Sequence, residues 1–157
     1  MPSNLRLCVV LSAFGLGLGW PSHAAPIAAC TSEMSRQGES SLSEAALNWS
    51  QLSKHQSMFE ASDDGGLAEG YSDVVVRLLS NKWSDLSEFA AIARSRPAFH
   101  TWVIKHIDAT VSTKDLQKII FNASSRCGDP KLREVCRQLS QAAQKALQVQ
   151  DQGQGQE

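Results

Sequence analysis

Apolar residues recur along most of this chain at spacings of three and four, the period of an α-helix. The pattern predicts an all-α protein, a single small domain of five to six helices arranged as antiparallel hairpins. A first helix is expected over 42–59, with Leu42, Ala45, Ala46, Trp49, Leu52 and Phe59 on one face. Ser41 and Glu44 have the spacing of a capping box at its start. The polar run Ser62-Asp63-Asp64-Gly65-Gly66 ends it. Leu67, Tyr71, Val74, Val75, Leu78 and Leu79 then keep helical spacing, which outweighs the β-branched run Val74-Val75-Val76 that would suit a strand.

After the turn at Ser80-Asn81-Lys82, a third helix from about Ser84 gathers Leu86, Phe89, Ala90 and Ala93. Pro97 ends it and opens a fourth, running to about Asp108, because proline at a first helical position has no amide hydrogen to lose. The fourth helix places Phe99, Trp102, Val103, His106 and Ile107 together. A fifth starts at Ser112 as N-cap, with Asp115 at the third position and Val111 able to staple onto Leu116. Asp129-Pro130 opens a sixth, whose core face is Leu132, Val135, Cys136, Leu139, Ala143 and Ala146. The domain is thus expected over 41–147, with 25–40 loose unless Cys30 ties it down. The Gln-rich tail 148–157, which has no apolar residue after Val149, is expected to be disordered. Asp85-Leu86, Ala93, Ser95 and Arg96 recur thirty residues later as Asp115-Leu116, Ala123, Ser125 and Arg126, an echo that shared helix-ending needs explain more simply than a solenoid repeat.

The first 24 residues change the picture of where this domain works. Arg6, an apolar run from Leu7 to Trp20 and the small-residue exit Ser22-His23-Ala24 have the order of a cleavable signal peptide. The run is shorter than the roughly 20 residues that cross a bilayer. A periplasmic or secreted protein is expected, with no transmembrane segment after signal removal. Ile27-Ala28-Ala29-Cys30 has the form of a lipobox, so Cys30 is a candidate lipid anchor; the intervening Pro21 and Pro26 argue instead for a free thiol.

In an oxidising compartment the remaining cysteines read first as disulfide partners. Cys127 and Cys136 flank the turn Gly128-Asp129-Pro130 and are the expected pair, although a bridge from Cys30 to either stays open. The formal net charge of −1 supplies no basic field and argues against nucleic acid as a partner. Residues 31–73 carry eight acids and two bases while 74–157 carry twelve bases and eight acids, an imbalance that docking of the two parts on one another would satisfy.

Candidate chemistry is sparse. His100 and His106 are weak ligand-site candidates, but six residues apart they lack the i, i+4 spacing of paired zinc ligands. His106, beside Trp102 on an apolar face, reads as a hydrogen-bonded core histidine. Asp63, Asp64 and Glu69 around the glycines lack calcium-loop order and read as a solvated turn. No metal, cofactor or catalytic residue is implied, as neither a nucleophile elbow nor a phosphate loop is present. Asn48-Trp49-Ser50 and Asn122-Ala123-Ser124 are sequons inside predicted helices. Trp83, in the connection Asn81-Lys82-Trp83-Ser84, is a candidate interface anchor. The sequence therefore points to an exported, non-enzymatic helical protein that binds another protein, of inhibitor, immunity or adaptor type. The alternative is an enzyme or small-ligand carrier whose site is assembled from residues distant in sequence.

Overall fold

The computed structural model describes residues 30–154, and all of their regular structure is helical. Seven α-helices follow one another: α1 (Ser32–Ala45), α2 (Trp49–Phe59), α3 (Gly65–Asn81), α4 (Leu86–Ser95), α5 (Pro97–Lys105), α6 (Thr113–Ser125) and α7 (Arg133–Gln154). Single 3-10 turns at Glu60–Ser62, Trp83–Asp85 and Pro130–Leu132 lead into the bends. The expected signal peptide and lipobox residues 27–29 lie outside the described residues.

Neighbouring helices form a closed circuit: α1 packs on α2, α2 on α4, α4 on α5, α5 on α7, α7 on α6, α6 on α3 and α3 back on α1. The α6–α7 hairpin is the most extensive pairing. Within this circuit α3 is the most deeply enclosed element, with Leu67, Tyr71, Val74, Val75, Val76, Leu78 and Leu79 all buried. Burial on several sides explains why the valine run sits in a helix: tertiary packing overrides the β preference of branched side chains. A second focus is aromatic, where Trp49 meets Phe89 at 4.7 Å, Phe99 stacks on Trp102 at 5.5 Å, and Tyr71 meets Trp102 edge-on at 4.9 Å.

The expected first helix is two. It breaks at Ala46–Asn48, where the Asn48 side chain accepts from the Gln51 amide at 2.9 Å and caps α2. Ser41 is consequently no cap; it lies inside α1 and bonds back to the Gln37 carbonyl. Residues 32–40, expected to be loose, are helical because α1 begins at a Thr31 cap and seats Gly38 against α3, where an added Cβ would stand 2.8 Å from Leu67. At the other end α7 continues to Gln154, past the expected limit at Leu147, and Gln150 fastens it by donating to the carbonyls of Ala109 and Val111. The last three residues lie outside the described part.

Other starts and stops follow the sequence closely. Asp64 caps α3 ahead of Gly65, whose φ of +51° is the one left-handed backbone among the described residues. Pro97 opens α5, which ends at Lys105, and Asp129 caps the turn into α7. Ser112 precedes α6 as expected, without a side-chain hydrogen bond, while Val111 and Leu116 are both buried. The thirty-residue echo ends α4 and α6 in the same way, with the Arg96 and Arg126 amides bonding back to Ile92 and Asn122. Their side chains then diverge, for Arg96 is tied to α2 while Arg126 is exposed over Phe121.

Candidate functional site

Cys127 and Cys136 are bonded, with Cα atoms 6.4 Å apart. The bridge fastens the loop after α6 to the first turn of α7, and such a pair suits an oxidising compartment. Cys30 is an exposed free thiol whose sulfur lies beside the Ser62 and Ser35 hydroxyls. Trp83, the candidate interface anchor, is only 8% exposed. It sits in a 3-10 turn that folds its indole into the shared core, since that much apolar area is better removed from water.

His100 and His106 do not converge. His100 stacks on Phe89 at 5.9 Å, at the edge of a groove between α5 and α7. His106 is 2% exposed and belongs to a continuous chain of polar groups. Its Nε2 lies 3.2 Å from Asp63 Oδ2 and its Nδ1 lies 3.0 Å from Ser72 Oγ, which in turn donates to Asp108 Oδ2 at 2.7 Å. Asp63 is therefore no part of a solvated turn: its carboxylate also accepts from Trp102 Nε1 at 3.0 Å and Lys105 Nζ at 3.4 Å. Burial works against the ionised Asp63, yet the hydrogen bond and charge of His106, with Trp102 and Lys105, hold its carboxyl below the usual value. Asp108 is likewise held low despite burial, chiefly by Thr110 and Ser72.

An aspartate, a histidine and a serine in line invite comparison with a nucleophilic triad. Ser72 is 2% exposed, and its hydroxyl is within hydrogen-bond reach of Ala68 carbonyl, Asp108 and His106 together. A side chain so enclosed braces α3 against α5 and the Asp63 turn. The cleft beside it, lined by Glu69, Lys105 and Thr110, measures about 190 Å³.

A second buried imidazole, His55, was not singled out from the sequence. Its Nδ1 lies 2.7 Å from Tyr71 Oη and its Nε2 lies 2.9 Å from Ser41 Oγ. Burial pushes the His55 imidazole below the usual histidine value, and burial with the charge of Asp63 raises the Tyr71 phenol well above its own. The pair ties α1, α2 and α3 together through neutral hydrogen bonds.

His55 also forms part of the wall of a groove of about 840 Å³, which runs between α1, α2 and α4. Phe59 and Ile92 give this groove apolar walls, and Met58 stands in it 61% exposed. Its cations are Lys54 and Arg96, and its acid is Glu44. The Arg96 guanidinium reaches across from the α4–α5 junction to Ser53, Gln56 and Ser57 on α2. A second groove, about 610 Å³, lies between α5 and α7, with Ile104, Ile107, Ala146 and Val149 flanked by Lys105 and Lys145. Neither groove is written in a local motif. The signal that could have shown the first is the spacing i, i+3, i+4 of Ser53, Gln56 and Ser57, which puts three polar side chains on one face of α2.

Among the described residues no group of three or more His, Cys, Asp or Glu is placed to hold a metal ion, and no helix is long and apolar enough to cross a membrane. Asn122, the second sequon, is fully buried, and its amide donates to the Leu79 and Ser80 carbonyls at the end of α3. No protein-family model, no curated protein and no solved structure matches this chain.

Proposed function

We propose that this is an exported, non-enzymatic helical protein that binds another protein, of inhibitor, immunity or adaptor type, through the groove between α1, α2 and α4. The observation that carries the proposal is the pairing, in this groove, of an exposed Met58 with a cation, Arg96, that no carboxylate among the described residues neutralises. A flexible thioether standing in water beside apolar walls is costly to keep and useful to a partner. The disulfide supports a periplasmic or secreted location, and anchoring through a lipid on Cys30 is the alternative arrangement of the same function.

Met58→Glu tests the proposal, because it places a charge where a partner would dock and disturbs nothing buried. Crosslinking of the tagged, exported protein in the cell envelope, followed by mass spectrometry, is expected to recover a partner with the parent chain and to lose it with M58E. Phe121→Ser, on the exposed face of α6, should retain it. A partner retained equally by both variants would refute the groove as the binding surface. The other reading, an enzyme or ligand carrier working around His106, has in its favour the Asp63–His106–Ser72 alignment beside a small cleft. On that reading Ser72→Ala abolishes a measurable turnover or ligand affinity while leaving partner recovery unchanged.

A further inference from the structure

The α5–α7 side of the molecule carries two grooves that share Ile104, Ala142 and Lys145 and so form one trough. None of its lining residues belongs to the groove between α1, α2 and α4. The two ends of the trough differ in polarity. At one end stand His100, Thr101, Gln138 and Gln141, with no carboxylate in the lining. Toward the other, Ile104, Ile107, Ala142, Ala146 and Val149 supply an apolar bed, and the acid at its rim, Asp108, is engaged by Ser72 and Thr110. Lys145 stands where the two stretches meet, and among the described residues no carboxylate lies within 4.0 Å of its ammonium. Lys105, by contrast, is shared with Asp63. Gln141 Oε1 accepts from Arg137, which leaves the Gln141 amide N–H groups for the trough. His100 Nε2 is buried and has no hydrogen-bond partner among the described residues.

A trough that is apolar along most of its length, with donors and one unpaired cation gathered toward one end, matches a molecule of the same build: an apolar tail with a single anionic head. From Gln141 to Val149 the α7 wall rises roughly 12 Å at 1.5 Å per residue. A partner helix, 10–12 Å thick with its side chains, needs about 900 Å³ or more over that length, against about 610 Å³ for the apolar bed. A polymethylene chain fits: at about 1.25 Å per carbon, from standard bond lengths and angles, roughly 12 Å takes about ten carbons. The negative charge of Asp108 at the far end sets the direction, with the head turned away from it. We propose that the α5–α7 trough binds a free fatty acid of about ten carbons, its carboxylate held by Lys145, Gln141 and His100 and its tail lying on Ile104, Ala142 and Val149.

Nuclear magnetic resonance titration of the oxidised protein with hexanoate, octanoate, decanoate, tetradecanoate and 1-decanol, each kept below the concentration at which it self-associates, tests it. Saturable shifts at the Ile104, Ala142 and Val149 amides are expected. Affinity should rise about two- to fourfold with each added methylene as far as decanoate, and level off beyond it. 1-Decanol keeps the tail and lacks the charge, so it should bind about threefold more weakly than decanoate. Lys145 is exposed, and Lys145→Gln should bring decanoate down to the level of the alcohol. Ala142→Trp fills the bed and should weaken decanoate about tenfold or more. Val149→Asp, at an exposed position, should weaken decanoate and leave hexanoate unchanged; it decides the matter should A142W fail to fold. Affinity that ignores chain length or keeps climbing through tetradecanoate would overturn the proposal. So would equal binding of decanoate and 1-decanol, or shifts that fall elsewhere on the molecule or do not saturate.

Discussion

Replacing Asp63 by alanine tests the account of the interior most severely, because one carboxylate there serves three donors on α5 and the turn that follows it. Trp102 Nε1 and His106 Nε2, at 3.0 and 3.2 Å, belong to side chains only 8% and 2% exposed and would be left without an acceptor. Lys105, whose side chain is 67% exposed, would simply return to water. A buried donor left unmade costs about 1–3 kcal/mol, so the two together set a range of about 2–6 kcal/mol. The Asp63 side chain is itself 11% exposed, which lets solvent reach part of the gap and brings the expected loss to about 3 kcal/mol. That is a large fraction of the 5–15 kcal/mol that typically holds such a domain together. Urea unfolding followed by tryptophan fluorescence reads it as a lower midpoint at unchanged slope. Asp63→Asn, which keeps one acceptor and loses the charge, should fall between D63A and the parent, and Lys105→Ala should stay within about 0.5 kcal/mol of the parent. A D63A loss below about 1 kcal/mol would refute the reasoning, because it would mean that neither donor depends on Asp63.

Further outcomes follow from the same contacts. Asp63 and Asp108 are held below the usual carboxyl value in the folded state, so their contribution is present above the unfolded pKa of about 3.9 and is lost as pH falls through the lower folded values; D63N should flatten the acid limb of stability against pH. His55 is also depressed, so the folded state takes up fewer protons than the unfolded chain just below about pH 6.5, and stability attributable to it declines as pH falls from there. The difference between the parent and His55→Gln in urea midpoints from pH 8 to 5 checks that sign. Reducing the Cys127–Cys136 bridge releases a loop with a sequence separation of 9, worth about 2.6 kcal/mol on the chain-entropy model, or roughly 10 °C in Tm for a domain of this size. Calorimetry with and without reductant measures that shift. Asn122→Ala strips two carbonyls at the end of α3 of their donor and should cost about 1–3 kcal/mol in the same unfolding assay.

Much of the fold was legible because its helices bury one stripe each, and burial of a stripe writes itself into the sequence at a period near 3.6. The segments around Leu67–Leu79, Leu86–Ala93, Leu116–Ala123 and Leu132–Ala146 all appear where their spacing puts them. The first nine residues of α1 did not, since Ser32–Ser40 is nearly all polar and is held by what Gly38 packs against rather than by an apolar face of its own. The break before α2 was hidden by an accident of phase: Ala45, Ala46 and Trp49 keep helical spacing across a cap at Asn48, so periodicity alone runs straight through it. The disulfide was legible from its turn. The polar chain through His106 was only half so, because a core histidine can be read from its apolar neighbours, whereas its partner Asp63 lies forty-three positions away and looks like loop. The groove around Arg96 depends on the same kind of distant pairing. Arg96 appears in the sequence as a member of the thirty-residue echo and as the residue before a helix-starting proline, and nothing local connects it to Ser53, Gln56 and Ser57.

The claim that this groove is the working surface is tested most directly by a photo-crosslinking amino acid placed at Met58 in the full chain expressed in cells, with the same amino acid at Phe121 as the comparison. Both positions are exposed to similar degrees, 61% and 56%. A single adduct of defined mass that forms on irradiation from position 58 and not from 121, and that disappears when Arg96 is also changed to Gln, is the predicted result. Adducts that form equally from both positions, or only from 121, would contradict it.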